Sequence, residues 1–177
     1  SASRPISPNA GPARCAGGRP PTEAGNLLNM RARILDFLAE HHAMTLATAG
    51  PGPHAAAVMY AHREFALYWV SDPETRHSHE IVMAGEIAAT INPDYDDFTK
   101  IRGLQLSGPA AMLEGREAAE GLAELARKFP FFEQFAGAGG KLSGALAKAR
   151  VWRFDPTRIV YIDNTRGFGF KETLELG

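Results

Sequence analysis

Residues 65–81, FALYWVSDPETRHSHEI, hold the groups of this chain best placed to bind an anion. An apolar, aromatic run (Phe65, Leu67, Tyr68, Trp69, Val70) has the composition of a buried strand and stops at Ser71-Asp72-Pro73. Asp72 suits an N-cap and Pro73 the first position of a helix. Backbone N–H groups and the positive end of a helix dipole are therefore expected to converge near Thr75 and Arg76. A phosphate would meet donors there: the Thr75 hydroxyl, the planar N–H pair of Arg76, and the backbone itself. His77 and His79 follow, but positions two apart on a helix do not share a face, so no metal site is expected. An ordinary strand-to-helix connection carrying a solvated arginine would read the same from these residues alone.

The surrounding chain must supply a scaffold for that corner. With 177 residues, 45% apolar and 22% charged, it fits one globular domain with a sizeable core. A net charge of -1 offers no field for nucleic acid or an anionic membrane, so neither is expected as a partner. Apolar runs fall well short of the roughly 20 residues that a membrane helix needs. Cys15 is the single cysteine, which excludes an intramolecular disulfide and a cysteine-rich metal site; a reducing, cytoplasmic setting is expected. Residues 1–25 are rich in proline and glycine and poor in large apolar groups. They are expected to form a flexible tail, either a dispensable extension or a targeting segment, leaving residues 26–177 as the domain.

From Leu27 the apolar spacing is helical (Leu27, Met30, Ile34, Leu35, Leu38) and closes near His41 and His42. The period then changes. Residues 43–50, 54–60 and 65–71 read as a three-strand meander, with a Pro51-Gly52-Pro53 turn and a polar turn over 61–64. A helix beginning near Pro73, a strand over 86–92, an acidic loop over 93–98 and a long strand over 101–113 follow. A second amphipathic helix covers 116–129, and two strands cover 151–155 and 158–163. Six or seven short strands with inserted helices predict a mainly β protein built as a closed antiparallel barrel. The glycine-rich stretch in residues 131–149 superficially resembles a nucleotide loop. It has Phe135 and Leu142 where that motif needs Gly and Ser or Thr, so a lid or linker is expected instead.

This order of elements, with H-x-x-x-V-M-Y at 54–60, S-D-P-E-T-R-H at 71–77, I-R-G-L-Q-L-S-G at 101–108 and V-W-R-F-D-P at 151–156, resembles the pyridoxamine 5'-phosphate oxidase-like family from Leu27 onward. The closing D-N-T-R-G-F-G-F-K (163–171) is similar to the tail of a small bacterial branch of that family. The resemblance implies a six-stranded antiparallel split barrel, Greek-key-like with peripheral helices. It further implies a homodimer holding FMN in a cleft shared by two subunits. It assigns the FMN phosphate to Ser71, Thr75, Arg76 and His77, the last standing where most relatives have lysine. The ring slot falls to Ala57, Val58, Met59 and Tyr60, with Gln105 at the flavin edge. Trp152, Asn164, Thr165, Phe168 and Lys171 become candidates for closing the partner's cleft.

The activity so implied is that of an FMN-dependent oxidoreductase acting on an unidentified small molecule. No side-chain pair declares itself as general acid and base, and Tyr60, His54 and Lys171 are the candidate proton donors. The alternative is a non-catalytic flavin- or haem-binding protein for storage or sensing, with His41, His42 or His54 as axial ligand. A deazaflavin-dependent reductase ranks last, since its longer acidic cofactor would favour a more basic groove.

Overall fold

Strict alternation along the chain lays down a curled sheet, seen in a computed structural model that describes residues 23–132 and 148–176. In β1 (Ala43–Ala49), Met44, Leu46 and Thr48 point into the core while Ala43, Thr45, Ala47 and Ala49 face outward. β1 lies between β2 (Pro53–Met59) and β5 (Glu86–Ile91), and β5 pairs in turn with β6 (Arg102–Met112). The second half of the sheet holds β3 (Ala61–Arg63), β4 (Ala66–Ser71) and β7 (Arg150–Phe154). The order is β2-β1-β5-β6-β7-β4-β3, with β8 (Arg158–Asp163) paired to β6 and to β9 (Lys171–Glu175). All these pairings are antiparallel.

β6 joins the two halves. Its first part pairs with β8 from Arg102↔Asp163 to Ser107↔Arg158, and its last part pairs with β7 from Ala110↔Phe154 to Met112↔Trp152. The change of partner falls at Gly108, against which the β7–β8 turn is pressed. A Cβ there would lie 2.5 Å from the Asp155 carbonyl and 2.7 Å from the Thr157 nitrogen. The result is a mainly β half-barrel of the split-barrel type, with three α-helices among the described residues.

The expected mainly β, antiparallel split barrel is the fold found, with nine strands among the described residues where six or seven were expected and with the edge strands β2 and β3 unpaired to each other. Two further expectations need correction. The meander is broken, because β2 and β4 lie in different halves. The expected polar turn over 61–64 is instead strand β3 and the start of a tight hairpin, with Glu64 in the left-handed region at φ 52°. β9 escaped notice because K-E-T-L-E turns only Leu174 to the core.

The main core gathers Trp69, Trp152, Phe154, Leu104 and Leu106 with Met30, Ile34, Phe37 and Leu38 from α1 (Glu23–Glu40). Each such side chain contributes about 1.5–3 kcal/mol on burial. α1 starts inside the residues expected to be tail, with Glu23 in its first turn complementing the helix dipole. Its C-terminal end is held by Lys128, whose Nζ donates to the carbonyls of Leu38 and His41 and sits 4.2 Å above the Tyr60 ring. α3 (Gly115–Lys128) closes a second cluster through Leu125, Tyr68 and Val151. The tail up to residue 22 and most of the expected lid, residues 133–147, lie outside the described residues.

Candidate functional site

β4 ends at Ser71, and the chain makes a tight turn before α2 (Arg76–Ala84) begins. Asp72 organises that turn rather than the helix: its Oδ1 accepts from Glu74 N at 2.9 Å and its carbonyl from Thr75 N at 3.1 Å. The N-cap is Thr75, three residues beyond the expected start, and it makes no side-chain cap hydrogen bond. Its hydroxyl instead lies 2.9 Å from the Asp72 carbonyl and 2.8 Å from Ser78 Oγ. The first N–H groups of α2 have no side-chain acceptor among the described residues, the state in which a helix start accepts an anion.

Ser71, Thr75 and His77 meet at this start. Ser71 Oγ lies 2.7 Å from His77 Nε2 and 3.4 Å from Thr75 Oγ1, and Thr75 Oγ1 lies 3.2 Å from the same ring nitrogen. Burial lowers the pKa of His77, nearby His54 adds to that and Glu80 opposes it, so the imidazole is neutral at pH 7. His54 stacks on His77 at 6.3 Å and 8° between planes. The buried Nδ1 of His54 has no hydrogen-bond partner among the described residues.

Arg76 is present but already engaged. Its Nε donates to Glu80 Oε1 at 2.7 Å and its Nη2 to the Gly52 carbonyl at 2.7 Å, leaving Nη1 without a partner among the described residues. The planar N–H pair expected from the sequence is therefore reduced to donors on one edge. Glu80 is held from the other side by the Thr48 hydroxyl, and those two hydrogen bonds, Thr48's first, keep its pKa below the ordinary carboxylate value. Gly50 makes room for it, since a Cβ there would stand 2.4 Å from Glu80 Oε1. Sequence reading missed Thr48, Gly50 and Glu80. The four-residue spacing of Arg76 and Glu80 on a helix was the available signal, whereas Thr48 reaches them only through the fold.

The residues of this corner suit a phosphate group. It would take the uncapped N–H groups of α2, the hydroxyls of Ser71 and Thr75, the ring of His77 and the free edge of Arg76. Unsatisfied donors at a helix start are what a phosphate completes.

The other expected residues are spread more widely. Ala57 and Met59 face outward on β2, while Val58 turns toward the core. Tyr60 is fully buried and donates its hydroxyl to the Leu38 carbonyl at 2.9 Å, and burial raises its pKa. It is a core residue rather than a slot wall or proton donor. Trp152 is likewise fully buried, stacked on Trp69 at 6.2 Å, and supports the corner from behind through Nε1 to the Ser71 carbonyl at 3.3 Å. Gln105 is exposed on the outer face, beside Thr90 on β5 and Val160 on β8.

Asn164 pins the β8–β9 turn, donating to the Phe98 carbonyl at 2.7 Å and accepting from Gly169 N at 3.0 Å. Thr165 Oγ1 donates to Asp163 Oδ1 at 2.6 Å. Phe168 is 84% exposed and meets Phe98 edge-on at 5.7 Å; Lys171 is exposed at the start of β9. The register sets this turn apart from the α2 corner. Ala47, next to Thr48, is level with Ala88 and Ser107, whereas the turn follows Asp163, opposite Arg102. Five residues of β6 separate those levels, about 17 Å. Among the described residues no group of three His, Cys, Asp or Glu could hold a metal, and no helix is long and apolar enough to cross a membrane.

Comparison with known proteins agrees with this fold. Residues 30–163 match the family model described as pyridoxamine 5'-phosphate oxidase. A UPF0306 protein of Enterobacter sp. strain 638 is 31% identical over 144 residues, 79% of this chain and 92% of the relative. A haem-binding protein of Mycobacterium smegmatis superposes with TM-score 0.64 at 19% identity, over 82% of this chain and 56% of that one. A Listeria innocua protein provisionally named pyridoxamine 5'-phosphate oxidase superposes with TM-score 0.57 at 19% identity, over 75% and 97%. The chain therefore belongs to the pyridoxamine 5'-phosphate oxidase-like family of split barrels and is similar, within it, to the UPF0306 proteins.

Proposed function

We propose that this protein binds FMN as a homodimer and serves as a flavin-dependent oxidoreductase for a small molecule. The observation that carries this reading is the convergence of Ser71, Thr75 and His77 on the uncapped start of α2, with Arg76 fixed at its rim. Bound there, the flavin would supply hydride transfer, and the protein would supply grip, orientation and exclusion of water. Ser71, Thr75 and His77 would hold the phosphate, and Arg76 would neutralise part of its charge.

The outer face of the sheet supports the homodimer. Ala55, Ala47, Ala88 and Ser107 form one row across four strands, and Ala57, Thr45, Thr90 and Gln105 form the next. These rows of mostly small residues would let a second copy approach closely. It would also bring the partner's Asn164–Lys171 turn toward a corner that the chain's own turn, at the other end of the sheet, does not approach.

The test is the absorbance of the purified protein, followed by FMN titration and anaerobic addition of NADH or NADPH. Saturable binding with bleaching of the flavin band is expected. Flavin that binds but is never reduced would leave a binding protein, and a colourless protein indifferent to FMN would end the reading.

A second reading, non-catalytic haem or flavin storage, is favoured by the buried Nδ1 atoms of His41 and His54, which have no hydrogen-bond partner among the described residues, and by the likeness to the M. smegmatis haem-binding protein. Haem would show a Soret band that Arg76→Ala leaves unchanged, whereas FMN binding would be weakened by that substitution.

A further inference from the structure

A recess of about 610 Å³ opens on a different part of the molecule, between α1, the β3–β4 hairpin and the β7–β8 turn. It is of the size that small-molecule sites occupy. The register explains why it is there. On one face of the second half-sheet Tyr68 stands opposite Arg153 and Ala66 stands opposite Arg63. The small side chain of Ala66 leaves a hollow floor between two arginines on flanking strands. Arg31 of α1 adds a third guanidinium, 4.6 Å above the Phe65 ring at the hairpin tip.

These three cations are committed to different degrees. Arg31 has no carboxylate partner among the described residues, its contact being the ring of Phe65. Arg63 reaches Glu120 at 3.4 Å, a long contact between exposed groups. Arg153 pairs with Asp155 at 2.7 Å with both side chains partly open to solvent. Glu64 and Asp155 line the recess, and Glu120 meets Arg63 from α3, so the recess offers no net charge and its attraction for an anion rests on Arg31, the arginine with no carboxylate partner among the described residues. Pro109, Pro156 and Leu176 give the opposite wall an apolar surface.

We propose that this recess is a second ligand site, distinct from the α2 corner, for a small organic anion: an oxyanion group held by Arg31, Arg63 and Arg153, with an apolar body against Pro109, Pro156 and Leu176. Guanidinium forks match the planar oxygens of phosphates and carboxylates, and surface ion pairs give way readily to a better-placed anion. The site does not depend on the flavin reading, because none of its residues belongs to the phosphate corner.

The experiment is isothermal titration of the full-length protein with phenyl phosphate, and separately with inorganic phosphate. Wild type, Arg31→Gln, Arg153→Gln and Arg76→Ala proteins are compared. Beyond any phosphate taken by the α2 corner, phenyl phosphate should saturate a site in the recess more tightly than inorganic phosphate does. Each recess variant should weaken that site at least about tenfold, the loss expected for a charge-assisted hydrogen bond, and by the same factor in the wild-type and the Arg76→Ala background, which separates it from the α2 corner. Arg31 lies on the surface of a helix, so Arg31→Gln tests the site even if Arg153→Gln folds poorly. Three results would overturn the proposal: no saturation by phenyl phosphate at about 10 mM, equal binding of the two probes, or binding removed by Arg76→Ala and spared by the groove variants.

Discussion

Glu80 fixes the orientation of Arg76: its Oε1 accepts from Arg76 Nε at 2.7 Å, one turn back on α2, while its other oxygen accepts from the Thr48 hydroxyl of β1. The carboxylate is 7% exposed and the guanidinium half exposed, so a buried anion steers a cation at the rim of the corner. Arg76→Ala should therefore weaken FMN binding about 10- to 100-fold, the equivalent of one charge-assisted hydrogen bond, with a fall in melting temperature because the Glu80 carboxylate loses its cation. Flavin fluorescence quenching measures the first and thermal unfolding the second.

The same pair gives a pH dependence of known sign. Glu80 has a folded pKa below its ordinary 4.5, so the stability it lends is complete above that value and is lost as the pH falls through the lowered one. Glu80→Gln should flatten the acid limb of a plot of unfolding free energy against pH. An unchanged acid limb would show that Glu80 is not the group responsible.

Two glycines should respond differently to alanine. At Gly50 the new Cβ would strike the Glu80 carboxylate, which Thr48 and Arg76 hold in place. A cost of about 1–3 kcal/mol is expected from overpacking, with FMN affinity lowered as Arg76 loses its guide. At Gly108 the obstacle is backbone, the Asp155 carbonyl and the Thr157 nitrogen, which cannot swing aside. Gly108→Ala should cost more than about 4 kcal/mol or prevent folding, as urea unfolding would report.

Lys128 and Tyr60 set the alkaline side. Burial lowers Lys128 from 10.5 to about 8, so between those values the unfolded chain binds more protons and stability rises with pH. Burial raises the Tyr60 pKa, so above its ordinary 10.0 the unfolded chain loses a proton that the folded one keeps, and stability falls. A maximum near pH 10 is expected in denaturant titrations. Lys128→Met should abolish the rise below the maximum without touching the fall above it.

The outer face of the sheet offers a test of the homodimer. Ala47 sits centrally in its row, between Ala55 and Ala88. Ala47→Arg places a charge there without disturbing the core-facing residues, so the chain should stay folded by circular dichroism. It should elute as a monomer and bind FMN at least about tenfold more weakly, since stable interfaces tolerate no unpaired central charge. A variant that remains dimeric would remove this face from consideration.

The sequence by itself determined the local elements and the groups of one corner. Alternation set the faces of β1, helical spacing set the buried stripe of α1, and Ser71, Thr75, Arg76 and His77 were identifiable because one turn holds them all within seven residues. Short-range periodicity fixes which way such side chains point, so it can be read without the fold. Elements with few inward residues, such as β3 and β9, carried too weak a signal.

Tertiary structure decided the rest, because strand pairing joins residues far apart in sequence. It drew Thr48 onto Glu80, committed Tyr60 and Trp152 to the core, and set the Asn164–Lys171 turn at the far end of the sheet from the corner. It also opened the arginine-lined recess, whose three cations lie at positions 31, 63 and 153. Their shared function, if any spacing had suggested it, would still have depended on the curl of a sheet that only the packed core enforces.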